Sequence, residues 1–137
     1  NKNMDINITS LIDLDMFTFS HSCAEGGQDA GRDTWNASKE DAKDRKPPLL
    51  DTPEKLETFR EWVGESGGWT REEIAAWDEI ECNALFLQWV AGDCREAGAD
   101  TLEDIDWKQY EEDSRAGQIS SNLYRADDGQ IYFSLSH

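Results

Sequence analysis

The sequence predicts an α+β fold: three to four helices around a buried central helix at about residues 79–97, with a small antiparallel sheet that includes a C-terminal β-hairpin. A row of Ile80, Ala84, Leu87, Ala91 and Cys94 recurs at helical spacing, with Leu85, Phe86, Trp89 and Val90 on its flanks. Between Ala84 and Ala91 only Gln88 is polar, so this helix is expected to be surrounded by other elements. Near the C-terminus, Leu123-Tyr124-Arg125 and Ile131-Tyr132-Phe133-Ser134-Leu135 flank Asp127-Asp128-Gly129. There Asp-Gly supplies the positive-φ residues a tight turn needs, and Ile131, Phe133 and Leu135 are expected to face the core.

The 137 residues suit a single domain, 1–137. Within it, residues 1–46 read as an N-terminal arm of short strands and a polar helix, and 49–137 as a compact helical core plus hairpin. Ile6 and Ile8 alternate with polar neighbours, as do Phe17 and Phe19, which predicts one or two short strands in 1–22. Three glycines between Glu25 and Gly31 predict a loop. A polar helix is expected over about Thr34–Lys43, with Trp35, Ser38 and Ala42 on its less polar face. Pro47-Pro48 cannot continue it, so Asp44–Pro48 reads as a connector.

Thr52-Pro53-Glu54 combines a capping hydroxyl, proline at the first helical position and an acid in the first turn, which together start a helix. Leu56, Phe59 and Val63 form its inward row, and Gly64, Gly67 and Gly68 stop it. Thr70-Arg71-Glu72-Glu73 is a capping box for a short helix carrying Ile74 and Trp77, and Asp78-Glu79-Ile80-Glu81 opens the long central helix in the same way. The acidic segment Asp100–Asp113 holds Leu102, Ile105, Trp107 and Tyr110, enough for one more short helix.

Thirty Asp and Glu against thirteen Lys and Arg leave a formal charge of −17, which folding does not require. A field of that sign repels nucleic acid and anionic membranes and attracts basic surfaces, so direct nucleic-acid binding is not expected. Six Trp, five Phe and three Tyr argue against a disordered acidic tail. No run reaches the ~18 apolar residues of a membrane helix, and no basic-then-apolar leader is visible, so a cytoplasmic protein is expected. The odd set Cys23, Cys82 and Cys94 points to reduced thiols. Cys82 and Cys94 stand about 18 Å apart along one helix, beyond disulfide reach.

Catalytic patterns are scarce. His21-Ser22-Cys23 offers a base and a thiol, but close sequence neighbours rarely form a nucleophile–base couple, and no second ligand pair completes a zinc site. Neither Asp127-Asp128-Gly129 nor Asp100–Asp106 has the calcium-loop spacing. No phosphate-binding glycine loop or serine elbow occurs. The chain is therefore expected to be noncatalytic, without cofactor or metal.

What stands out is the acidic face. Glu54, Glu57, Glu61 and Glu65 recur at i, i+3, i+7 and i+11, which makes one carboxylate stripe turned away from the apolar row. With Glu72 and Glu73 from the next helix, it could approach the charge density of a nucleic-acid backbone, ~3.4 Å per phosphate on each strand. The same stripe is also the ordinary solvated side of an amphipathic helix. Glu54, Glu57, Glu61, Glu72 and Glu73 are the candidate partner-binding residues.

Leu49-Leu50-Asp51-Thr52-Pro53-Glu54, Glu72-Glu73-Ile74-Ala75-Ala76-Trp77, Asn83-Ala84-Leu85-Phe86 and Asp128-Gly129-Gln130-Ile131-Tyr132 resemble small acidic proteins carried by phages and mobile elements of proteobacteria. The likeness spans about residues 24–137. It implies counter-defence of the anti-restriction or anti-CRISPR type, in which several families are acidic DNA mimics, and it carries no catalytic motif. The expectation is an inhibitor that binds the basic nucleic-acid-binding surface of a host defence complex. The alternative is an accessory interaction module that uses an aromatic patch of Trp62 and Trp69, with acidity serving solubility or salt adaptation.

Overall fold

The computed structural model describes residues 4–20, 28–66, 68–118 and 122–135, with 28–33 and 66 described by backbone alone. His21, Cys23, Gly67 and His137 lie outside these, as do residues 25–27 of the expected glycine loop; its remainder, 28–31, is not a loop but the start of a helix. Strand β1 (Met4–Asn7) is followed by helices α1 (Gln28–Asp44), α2 (Pro53–Ser66), α3 (Arg71–Ala75), α4 (Glu79–Glu96) and α5 (Trp107–Arg115), then strands β2 (Leu123–Arg125) and β3 (Ile131–Leu135). The class is α+β, as the sequence predicts.

The sheet is antiparallel with order β1-β3-β2, so the last strand occupies the middle. Ile6 stands opposite Phe133, and Leu123 opposes Phe133 from the other side. Ile131, Phe133 and Leu135 are buried while Tyr132 and Ser134 are half-exposed, the alternation of a sheet with one face on the core. At the hairpin only Gly129 has positive φ (85°); Asp128 does not, and its carboxylate instead accepts from the Gln130 N–H at 2.9 Å. The turn closes with Gly129 N–H donating to the Ala126 carbonyl at 3.0 Å, so a single left-handed residue suffices where the sequence suggested two.

Helix α4 is the centre of the molecule. Cys82 through Gln88 are all buried, as are Val90, Ala91, Asp93 and Cys94. Phe86 meets Phe59 of α2 edge-on at 5.6 Å and Phe133 of the sheet at 5.1 Å, which ties three elements together. Each fully buried ring contributes about 1.5–3 kcal/mol by leaving water. Asn83, though polar, is held at both ends. Its Oδ1 accepts from the Leu50 N–H at 2.8 Å, and its Nδ2 donates to the Glu79 carbonyl at 2.9 Å. This anchors the 45–50 connector against α4.

The N-terminal residues are not an arm laid outside this core. Strand β1 is paired into the sheet, and α1 packs along α4. Its contact face contains Thr34 and Ser38, with Ser38 fully buried and donating from Oγ to the Thr34 carbonyl at 2.8 Å. A polar composition therefore hides a packed face, because small hydroxyl residues bury well once bonded to their own helix. The helix is also longer than the predicted 34–43. Residues 16–19 form a 3₁₀ turn rather than a strand: the Asp15 carboxylate caps Phe17 N–H at 2.9 Å, and Met16 and Phe19 are buried three residues apart. Trp62 is only 6% exposed, stacked near Phe59 and edge-on to Phe133, so it belongs to the core and not to a surface patch.

Candidate functional site: the α2–α3 acidic cleft and the neighbouring tryptophan pocket

Helix α2 starts where its sequence signals place it. Thr52 Oγ1 accepts from Lys55 N–H at 3.1 Å, and Pro53 is the first helical residue. With Phe59, Trp62 and Val63 turned inward, Glu54, Glu57, Glu61 and Glu65 are exposed. The helix runs through Gly64 to Ser66, which extends the stripe by one carboxylate inside regular structure. Helix α3 packs against α2. Its capping box is complete: Thr70 Oγ1 accepts from Glu73 N–H at 3.1 Å, and the Glu73 carboxylate accepts from Thr70 N–H at 2.9 Å.

Between the two helices lies an open cleft of about 950 Å³ into which Glu57, Glu61 and Glu65 project, together with Arg60, Arg71 and Trp69. The five candidate carboxylates are all exposed, but they are not equivalent. Glu57 and Glu61 line the cleft; Glu54, Glu72 and Glu73 do not. Glu57 lies 3.5 Å from Arg60, whose other amino group donates to the Trp77 carbonyl at 2.9 Å. Glu73 has a structural role through its cap. The two arginines offset part of the cleft's charge, which the sequence reading of a bare acidic stripe did not anticipate. Arg60 and Arg71 were readable as residues, but their side-chain placement depends on how α2 and α3 pack.

A second concavity of about 400 Å³ lies on α4, lined by Trp69, Leu85, Gln88, Trp89, Gly92, Asp93 and Glu96. No spacing in the sequence marks it. Its one available signal was Asp93, an acid inside the most apolar helix of the chain. Asp93 is 7% exposed, and its Oδ2 accepts from the Asn122 N–H at 3.3 Å and from Asn122 Nδ2 at 3.5 Å. Burial raises its pKa to about 6 against these two donors, and the nearby Glu96 carboxylate adds to the rise.

The thiols are quiet. Burial pushes Cys94 up to about 12, and its Sγ donates to the Ala99 carbonyl at 3.4 Å; burial also raises Cys82, beside Arg60. Among the described residues no group of three or more His, Cys, Asp or Glu is placed to hold a metal ion, and no helix is long and apolar enough to cross a membrane. Comparison of the chain with protein-family models, curated proteins and solved structures yields no match.

Proposed function

We propose that this protein is a noncatalytic acidic inhibitor that occupies the basic nucleic-acid-binding surface of a partner complex. The observation that carries the reading is the exposed carboxylate row of α2 beside the acidic first turn of α3, in a chain of net charge −17. Successive carboxylates at one-turn spacing lie about 5–6 Å apart on a rigid helix. Such an array attracts a groove built for phosphates and competes with nucleic acid for it. The resemblance to phage-borne acidic proteins supports the same reading, in which the partner is a host defence complex in the bacterial cytoplasm.

The test is capture from bacterial lysate at about 50 and 200 mM salt, with the partner then purified and its nucleic-acid binding assayed. The variant changes Glu54, Glu57, Glu61 and Glu72 to Lys and Glu73 to Gln, which keeps the capping box. Mimicry predicts a nucleic-acid-handling partner lost at the higher salt and inhibition reduced at least about tenfold by the variant. Undiminished inhibition by the variant would remove these residues from the site.

A second reading rests on Trp69, which is 42% exposed and packs edge-on against Trp77 at 5.1 Å. An accessory module that docks through this aromatic surface, with acidity for solubility, would keep its partner at both salt concentrations.

A further inference from the structure

The 400 Å³ concavity on α4 combines features that specify a ligand class. Its volume is at the small end of the ~300–1,000 Å³ of ligand pockets. Two indoles, Trp69 and Trp89, form walls, and each is braced edge-on by another tryptophan: Trp69 by Trp77 at 5.1 Å and Trp89 by Trp62 at 4.9 Å. Asp93 brings a carboxylate, more than nine-tenths buried, to the same cavity. Both Asn122 donors go to Oδ2, and among the described residues Oδ1 accepts no hydrogen bond.

Elsewhere three aromatic rings carry one of the protein's own cations. Lys39 sits 4.7 Å from the centre of Trp35, Arg95 lies 4.7 Å over Phe17, and Arg125 lies 5.8 Å over Trp107. Among the described residues none covers Trp69 or Trp89. Gly92 completes the argument. It lies within α4 and lines the pocket, yet a Cβ there would meet nothing within 4 Å. Packing does not require glycine at a helical position where it costs about 1 kcal/mol relative to alanine. A side chain at 92 would take up the open space of the pocket.

We propose that this pocket receives the guanidinium of an arginine presented by the partner, stacked on Trp69 and Trp89 and paired with Asp93. A planar cation with an apolar stem fits aromatic walls that end at a carboxylate, whereas an apolar side chain would leave Asp93 unpaired. The proposal deepens the inhibitor reading, because it supplies a specific anchor beside a diffuse acidic field, and it rests on the partner being basic.

The experiment titrates N-acetyl-arginine amide into the full ¹⁵N-labelled chain and follows the indole N–H signals. N-acetyl-citrulline amide, of the same shape without charge, and N-acetyl-norleucine amide serve as comparators. Saturable shifts of the Trp69 and Trp89 signals are expected with arginine, at least about tenfold weaker with citrulline. Gly92→Leu, which fills the space, and Asp93→Asn, which keeps size and removes charge, should each weaken arginine binding at least about tenfold in folded protein. Equal binding of citrulline or norleucine, or arginine shifts that survive both substitutions, overturns the proposal. Arginine binding without any salt-sensitive partner in lysate would sink the inhibitor reading and leave the pocket standing. A partner captured and inhibited equally by Gly92→Leu would do the reverse.

Discussion

Asp93 is where a single residue departs furthest from its usual chemistry. Burial holds its folded pKa at about 6, against an ordinary 3.8. The folded chain therefore binds this proton more tightly than the unfolded chain does. Above about pH 6 the fold carries an ionised, poorly solvated carboxylate. As pH falls from about 6 towards 4, the native state takes up the proton while the unfolded state stays ionised, so this residue's contribution shifts in favour of folding. The shift corresponds to about 1–3 kcal/mol at pH 7. Asp93→Asn, whose amide oxygen can still accept from Asn122, is expected to stabilise the protein by that amount at pH 7 and by almost nothing at pH 4. Urea denaturation at the two pH values measures it, and an Asn variant less stable at pH 7 would contradict the account. The same substitution is expected to weaken arginine binding at least about tenfold, so stability and binding should move in opposite directions. Asp93 itself was visible in the sequence, but its neighbours were not: Asn122 lies 29 positions away and comes beside it only through the packing of the β2 segment on α4.

At the scale of elements, boundaries written in adjacent residues were readable. The Thr70 and Asp78 capping boxes, Pro53 at the head of α2, and the apolar run of α4 appear in the structure where the sequence puts them. These signals work because a cap and the N–H groups it satisfies lie within one helical turn. Asp78 serves the helix on which the core is built, its carboxylate accepting from Glu81 N–H at 2.8 Å. Asp78→Ala is expected to lower stability by about 1 kcal/mol, read as a shifted denaturation midpoint with unchanged slope. Glu81→Gln, which preserves the reciprocal bond, should cost less. Elements whose stability comes from elsewhere were misread. The Phe17–Phe19 alternation fits a strand as well as a 3₁₀ turn, and Asp15 together with packing on α4 selects the turn. Helix α1 extends beyond its predicted bounds and packs on α4, through a face where Thr34 and Ser38 carry no apolar signature.

For the molecule as a whole, −17 is a field before it is a set of contacts. Ion pairs such as Lys55–Asp51 at 2.7 Å and Arg45–Asp41 at 2.9 Å neutralise some carboxylates locally, but most of the excess has no cation to meet. Like-charge repulsion then opposes the compact state, and added salt screens it over a Debye length of about 10 Å at 0.1 M. Raising NaCl from about 20 to 200 mM should raise the thermal midpoint by several degrees. The same change should weaken any complex made through the α2 stripe. A midpoint that falls with salt would mean that attractive pairs outweigh repulsion. Screening acts on both equilibria with opposite sign, so stability and binding measured across one salt series separate self-repulsion from attraction to a partner.

The sequence by itself determined the class of fold, the buried central helix, the caps, the C-terminal hairpin and the excess of negative charge. Each of these is decided by neighbours within a turn or by composition. Tertiary structure decided that β3 is the middle strand, that Trp62 is core, that Arg60 and Arg71 enter the acidic cleft, and that Trp69, Trp89 and Asp93 share one pocket. Those outcomes depend on which faces meet across loops, where burial of aromatic area outweighs local preference and where no spacing in the chain records the distance between two side chains.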